Sequence, residues 1–328
     1  MPQKIEVTLV RELEIAYSSS SAPSPVAHAS PYQWANACHE LLQSGRIDVL
    51  EHAVRYLHGV YPELNYLKTV VGWLDRIPSH LPGLLAFSDD PAAEIQVIKR
   101  NGCEAVLLCF CASQGTLGLP LNLIHQWLGR LPVSLVYIKD FRDLFGAGGY
   151  PSLGPDRSSS LAELRRIVSD LQGKQIYTLG VSYGGFAALH YGLELAAVGA
   201  LTLGGDTDLT PEFIARVGGT PAHFDLLRRA PDYARNLREI YASAARYPRV
   251  ILAFGSEFAR DRRQAERMSE LPNVQLLPVP HSHHNVVDPL IRCGQFLDLL
   301  YSLLGRADGL PAQERSDHGG ATDIPVAS

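Results

Sequence analysis

The chain is poor in charge. Asp, Glu, Lys and Arg make up 19% of its 328 residues and leave a net charge of -5. No sustained basic block occurs, so nucleic acid is not expected as a partner. Long apolar runs are also missing. The longest, Ala105 to Ala112, is far too short to cross a bilayer, and no membrane partner is expected. The opening "MPQKIEVTLVRELE" lacks the apolar core of a secretory signal, which gives a cytoplasmic expectation. Cysteine is scarce and unpatterned: Cys38, Cys103, Cys109, Cys111 and Cys293 are odd in number and show no framework spacing. Cys109 and Cys111 alternate within one apolar run, so both should face the same side of a strand as small buried hydrophobes. What is present is a 46% hydrophobic composition, that of a folded globular protein long enough for one large α/β domain and something smaller.

Residues 3–16 read as two short strands or one irregular segment. Ser18 to Pro31, "SSSSAPSPVAHASP", is a linker by composition, closing a first segment 1–31. Across 32–80 apolar residues recur at helical spacing, and Ser44-Gly45 breaks the run, so a helix pair or three helices are expected. This region resembles a single tetratricopeptide-like hairpin. One such unit cannot bury its own apolar face, so it must pack on the main domain or on a partner.

From Ala93 strands and helices alternate. Strands are expected at 94–99, 104–111, 133–138, 174–179, 198–204, 249–254 and 274–279, with helices at 118–130, 159–172, 184–196, 261–270 and 285–304. This alternation predicts an α/β domain over 93–304, with a mostly parallel central sheet covered by helices on both faces. The segment 209–247, between the strands at 198–204 and 249–254, is a longer helical insertion placed where a cap or lid belongs. The tail 305–328 is small, polar and rich in Pro and Gly, and is expected to be disordered.

Within "IYTLGVSYGGFAALHYG", Gly180-Val181-Ser182-Tyr183-Gly184 fits G-x-S-x-G between a strand and a helix. An inert serine in a glycine turn fits the five residues alone; the flanking strand and helix favour a nucleophile. A serine on so sharp a turn leaves no room for side chains two residues either way. The helix that follows gives the Tyr183 N–H a positive setting suited to a developing oxyanion.

On these residues the chain resembles the α/β-hydrolase superfamily over roughly Ala93 to Leu304. The resemblance implies the chain order nucleophile, acid, histidine. "LPNVQLLPVPHSHHNVVDPL" offers His281, His283 and His284 after the last strand. His284-Asn285 fits the family's usual His-to-helix placement best, with His283 as the alternate. A zinc cluster is the competing reading of H-x-H-H, but no established zinc motif accompanies it. For the acid, "VILAFGSEFARDRRQAERM" offers Asp261 and Glu257, and "LGGDTDL" offers Asp206. Asp261 is preferred, then Glu257, then Asp206, although an Asp at a helix start is also an ordinary N-cap and Glu257 an ordinary loop charge. A second oxyanion donor is expected from "CASQGTLGLP", at Ala112, Ser113 or Gln114, where the His-Gly-Gly-Gly signature of lipases and carboxylesterases is absent. The loop 139–156 should share that rim, with Asp140 and Arg142 either shaping a polar pocket or making a turn.

These expectations combine into a serine hydrolase. Ser182, His284 and Asp261 would cleave an ester or thioester of a small acyl substrate through an acyl-enzyme, without a cofactor. Two other readings stay open. One is an acyltransferase or carrier-protein thioesterase, with the N-terminal helices docking a carrier or enzyme partner. The other is a non-catalytic binding protein that keeps the fold.

Overall fold

The structure, a computed structural model, describes residues 2–19, 29–233, 235–281 and 283–306. Most of the expected linker and nearly all of the expected disordered tail lie outside those residues.

Seven apolar segments form seven strands of one sheet: β1 (Ile95–Ile98), β2 (Ala105–Phe110), β3 (Ser134–Ile138), β4 (Gln175–Val181), β5 (Gly199–Leu203), β6 (Arg249–Gly255) and β7 (Val274–Val279). The order is β1-β3-β2-β4-β5-β6-β7. β1 runs antiparallel to β3 and every other pairing is parallel. Uninterrupted apolar runs such as "AVLLCF" suit strands buried on both faces, as parallel sheets require. The chain reverses its direction of travel across the sheet between β2 and β4, which leaves a crevice beyond their C-terminal ends.

The N-terminal part is entirely helical: α1 (Pro2–Ser18), α2 (Pro31–Gln43), α3 (Ile47–Val60) and α4 (Asn65–Leu74). Residues 3–16 are therefore neither strands nor irregular. Leu9, Leu13 and Ala16 recur at helical spacing and are buried, so tertiary packing outweighs the strand-like alternation of "KIEVTLV". In the α/β region follow α5 (Leu121–Leu128), α6 (Arg157–Asp170) and α7 (Tyr183–Glu194). The insertion carries α8 (Pro211–Val217), α9 (Pro221–Arg229) and α10 (Leu237–Ser243), the first two opened by Thr-Pro steps whose fixed proline φ suits a first turn. The chain continues through α11 (Ala259–Glu266), α12 (Val287–Arg292) and α13 (Phe296–Leu303). The single helix expected at 285–304 is thus two, separated at Gly294, whose φ of 78° no helix accommodates.

Helices cover both faces. On one, α5, α12 and α13 pack on Leu107, Cys109, Leu135, Leu179 and Leu201, and α1–α4 extend the same hydrophobic cluster outward through Leu13, Trp34, Leu50 and Leu67. Cys109 and Cys111 both lie in this cluster, as the alternation predicts, and burial pushes the Cys111 thiol up to about 12. The N-terminal helices therefore bury their apolar stripe against the main domain. Two polar ties accompany it: Trp73 Nε1 donates to Asp288 Oδ1 at 2.7 Å, and Asn122 Nδ2 donates to the Gln43 carbonyl at 2.9 Å. On the other face α6 and α7 pack on Val106, Leu108, Phe110 and Val136. Farther along that face α7, α10 and α11 cover Ala200, Val250 and Leu252. Among the described residues, no helix is long and apolar enough to cross a membrane.

Candidate active site

β4 ends at Val181, α7 begins at Tyr183, and Ser182 alone makes the corner with φ 53° and ψ -121°. A positive φ is strained for any residue with a Cβ and is tolerated where surrounding structure fixes it. The flanking glycines show what fixes it. A Cβ on Gly180 would overlap the Gly184 carbonyl, and one on Gly184 would overlap the Phe110 carbonyl of β2. The turn is thus pressed between its own helix and the neighbouring strand, which leaves the Ser182 side chain at the C-terminal edge of the sheet.

His284 lies on the loop after β7. Its Nε2 is 2.7 Å from Ser182 Oγ, and its Nδ1 is 2.7 Å from Asp261 Oδ2. The loop is held from both sides: Asn285 Nδ2 donates to the Gly118 carbonyl at 2.8 Å, and Asn285 Oδ1 accepts the Val287 N–H at 3.0 Å. Asp261 is not an N-cap, since Phe258 occupies that position; it stands in the first turn of α11, buried, with its side chain on His284. Burial raises the Asp261 carboxyl above the ordinary carboxylate value, a push only partly offset by the bond to His284.

The remaining candidates are separated from this chain of contacts. Glu257 is exposed in the turn between β6 and α11. The His283 ring meets His281 edge-on at 5.0 Å. Among the described residues, no three His, Cys, Asp or Glu side chains come together as a metal site requires. Asp206 is buried in a different cluster, accepting from Gln264 Nε2 at 2.8 Å and from Arg260 Nη2 at 3.0 Å, with His223 Nε2 at 3.2 Å. Burial by itself would raise the Asp206 carboxyl, but its bonds with His223 and Arg260 outweigh that and hold it below the ordinary value.

A small cavity beside the first turn of α7 is lined by Ala112, Ser113, Asp143, Phe145, Tyr183 and Gly184, among others. It brings Ser113 and Tyr183 to one space, whereas Gln114 makes the corner of a short turn with φ 65°. The Ala112 N–H donates to the Thr116 carbonyl at 2.7 Å, which removes Ala112 from the oxyanion candidates. The loop 139–156 does share this rim. Asp140 braces it by accepting the N–H groups of Arg142, Leu144 and Gly146 at 3.1, 3.0 and 2.8 Å, so that carboxylate serves a turn and also borders the cavity.

Sequence reasoning did not find His223, Thr220 or Arg260. Tyr183 Oη is 3.0 Å from Thr220 Oγ1, and the His223 ring stands edge-on to Tyr183 and 5.0 Å from Phe145. The insertion therefore lies against the residue that follows Ser182. A histidine and an aspartate seventeen positions apart carry no spacing signal, and only the packing of α9 joins them.

No family model matches the chain, and no curated protein matches it. Solved structures do resemble it. AbyA5 shares 17% identity with a TM-score of 0.47, covering 94% of this chain and 97% of its own. The capsule O-acetyltransferase of Neisseria meningitidis serogroup A shares 14% with a TM-score of 0.45, covering 68% and 99%. A lipase-esterase related protein from Clostridium acetobutylicum shares 16% with a TM-score of 0.42, covering 64% and 98%. At such values the chemistry has to be read from the side chains of this chain.

Proposed function

We propose that the protein is a serine hydrolase that cleaves an ester or thioester of a small acyl substrate. The observation that carries this reading is the unbroken contact chain from Ser182 Oγ through His284 to Asp261, 2.7 Å at each step. In this reading Ser182 Oγ attacks the acyl carbonyl carbon as His284 Nε2 takes its proton. Asp261 accepts from Nδ1–H, which keeps Nε2 free to act as the base and stabilises the imidazolium that forms. The tetrahedral oxyanion accepts from the Tyr183 N–H, one of the orphan donors of α7, and from Ser113 or Gln114. Collapse of this intermediate expels an alcohol or thiol, which receives the proton from His284. Water, activated by the same nitrogen, then attacks the acyl-enzyme and releases the acid and Ser182. None of these steps requires a cofactor.

The bond between Asp261 and His284 weighs against a non-catalytic binding protein, which would need no oriented carboxylate there. Transfer of the acyl group to another alcohol, amine or carrier thiol uses the same residues. Because α1–α4 turn their main apolar stripe inward, a carrier would meet their outer faces, where Ile15, Tyr17, Tyr32 and Val60 are exposed among polar residues. A fluorophosphonate probe tests the nucleophile. Wild type is expected to label and Ser182→Ala not to; no labelling of wild type, or equal labelling of both, overturns the reading. Hydrolysis of a p-nitrophenyl acyl series by wild type, with and without added thiol or alcohol acceptors, then separates hydrolysis from transfer.

A further inference from the structure

We propose that Tyr183, Thr220, His223, Asp206 and Arg260 form a latch that holds the helical insertion on the turn carrying Ser182, making Thr220 and His223 positioning residues for the reaction there. This rests on the reading of Ser182 as the nucleophile.

The contacts are continuous. Tyr183 Oη lies 3.0 Å from Thr220 Oγ1, which lies 2.6 Å from His223 Nδ1. His223 Nε2 lies 3.2 Å from Asp206 Oδ2, and Arg260 Nη2 stands 3.0 Å from Asp206 Oδ1 and 2.9 Å from His223 Nε2. His223 and Asp206 are 1% and 2% exposed, so neither meets water that could replace its partner. Buried polar contacts of this kind favour one arrangement of the elements they join, since a group pulled from its partner there stays unpaired. Four elements are joined here: the elbow by Tyr183, α9 by Thr220 and His223, the loop after β5 by Asp206, and α11 by Arg260. Arg260 directly precedes Asp261, so the far end of the latch sits on the helix turn that presents the acid to His284.

The consequence falls on the backbone of Tyr183. Its ring packs against Phe145 at a tilt of 44° with centroids 4.6 Å apart, and its hydroxyl is anchored to the insertion. Both ends of the side chain are therefore held, which fixes the direction of the N–H that would meet the oxyanion. Removing an oxyanion donor altogether slows comparable reactions about 10²–10³-fold. Loosening one should have a smaller effect of the same kind. Because the oxyanion exists only in the transition state, the effect should fall on the rate of bond formation and not on binding.

The test uses the full chain and a fluorophosphonate probe, measuring the limiting labelling rate at Ser182 and the probe concentration that gives half of it. Thr220→Val removes the hydroxyl at nearly constant shape, Thr220→Ser restores it, and Tyr183→Phe removes the other end of the same contact. Thr220→Val and Tyr183→Phe should each lower the limiting rate about 10-fold with half-saturation unchanged within about 2-fold. Thr220→Ser should stay within about 2-fold of wild type, and the double variant Tyr183→Phe/Thr220→Val should be no slower than either single one. The latch is wrong if Thr220→Val labels as fast as wild type, if the loss appears only in half-saturation, or if the two losses multiply. Should Thr220→Val not fold, Tyr183→Phe against Thr220→Ser still decides, since an unimpaired Tyr183→Phe overturns the latch. Wild type that fails to label removes the nucleophile and the latch together. Labelling lost in Ser182→Ala alone, with the latch variants unimpaired, removes only the latch.

Discussion

Asp261→Asn separates catalysis from stability in opposite directions. The carboxylate now accepts from His284 Nδ1 at 2.7 Å. An amide there can present its NH2 group to Nδ1, which then has to accept, and the ring proton moves to Nε2. That nitrogen faces Ser182 Oγ at 2.7 Å and can no longer take its proton. The expected loss in turnover is about 10³–10⁴-fold, or about 4–5.5 kcal/mol of transition-state stabilisation. Stability should move the other way. The Asp261 carboxyl is raised above its ordinary value chiefly by burial, so the fold favours the protonated acid. A raised carboxyl contributes its stability below the unfolded value of about 4 and loses it as pH rises through the folded value. At neutral pH the ionised group is therefore a net burden that Asn lacks. Melting temperatures of wild type and variant should lie closest near pH 4, and the variant should gain relative to wild type toward pH 7. Hydrolysis of p-nitrophenyl acetate together with scanning calorimetry at the two pH values reads both effects. A variant within 10-fold of wild-type turnover would refute Asp261 as the orienting acid, and a variant that loses ground between pH 4 and pH 7 would refute the burial argument.

Two further outcomes follow from the geometry. Ser182→Gly should abolish probe labelling yet raise the melting temperature by a few degrees, because glycine relieves a positive φ that costs about 1–3 kcal/mol in other residues; an unchanged or lower melting temperature would show that the corner is not strained. Trp73→Phe keeps the ring but removes the donor to Asp288, and denaturant unfolding should show a loss of about 1 kcal/mol, whereas no loss would mean that water replaces that bond without penalty.

The sheet was legible because parallel strands buried on both faces are written as short apolar runs, and all seven expected strands are present. The turn at Ser182 was legible for a related reason: Gly180 and Gly184 are demanded by backbone contacts, so the sequence carries a trace of it. The carboxylate beside His284 was only narrowed. Asp261 and Glu257 lie four residues apart in one connection, and what separates them is that the first turn of α11 directs one inward and the β6–α11 turn directs the other outward. Helix α1 was misread because Ile5, Val7 and Leu9 alternate like a strand, and its identity comes from α2 and α3, against which it packs. The pairing of His223 with Asp206 had no trace at all, since it depends on where an insertion folds back.

The hydrophobic cluster that runs from α1 through α5 and α12 to the sheet makes helices α1–α4 inseparable from the rest in a cooperative sense. A chain cut at Ala93, where the strand pattern starts, would strip α2 from α5 and α4 from α12, and would remove the Trp73 donor to Asp288, four positions past His284. Thermal unfolding should therefore pass through one transition and not two. Sequence drift on the outer helices is then constrained by the same core that holds the His284 loop, so they behave as a buttress of the α/β domain and not as a detachable module.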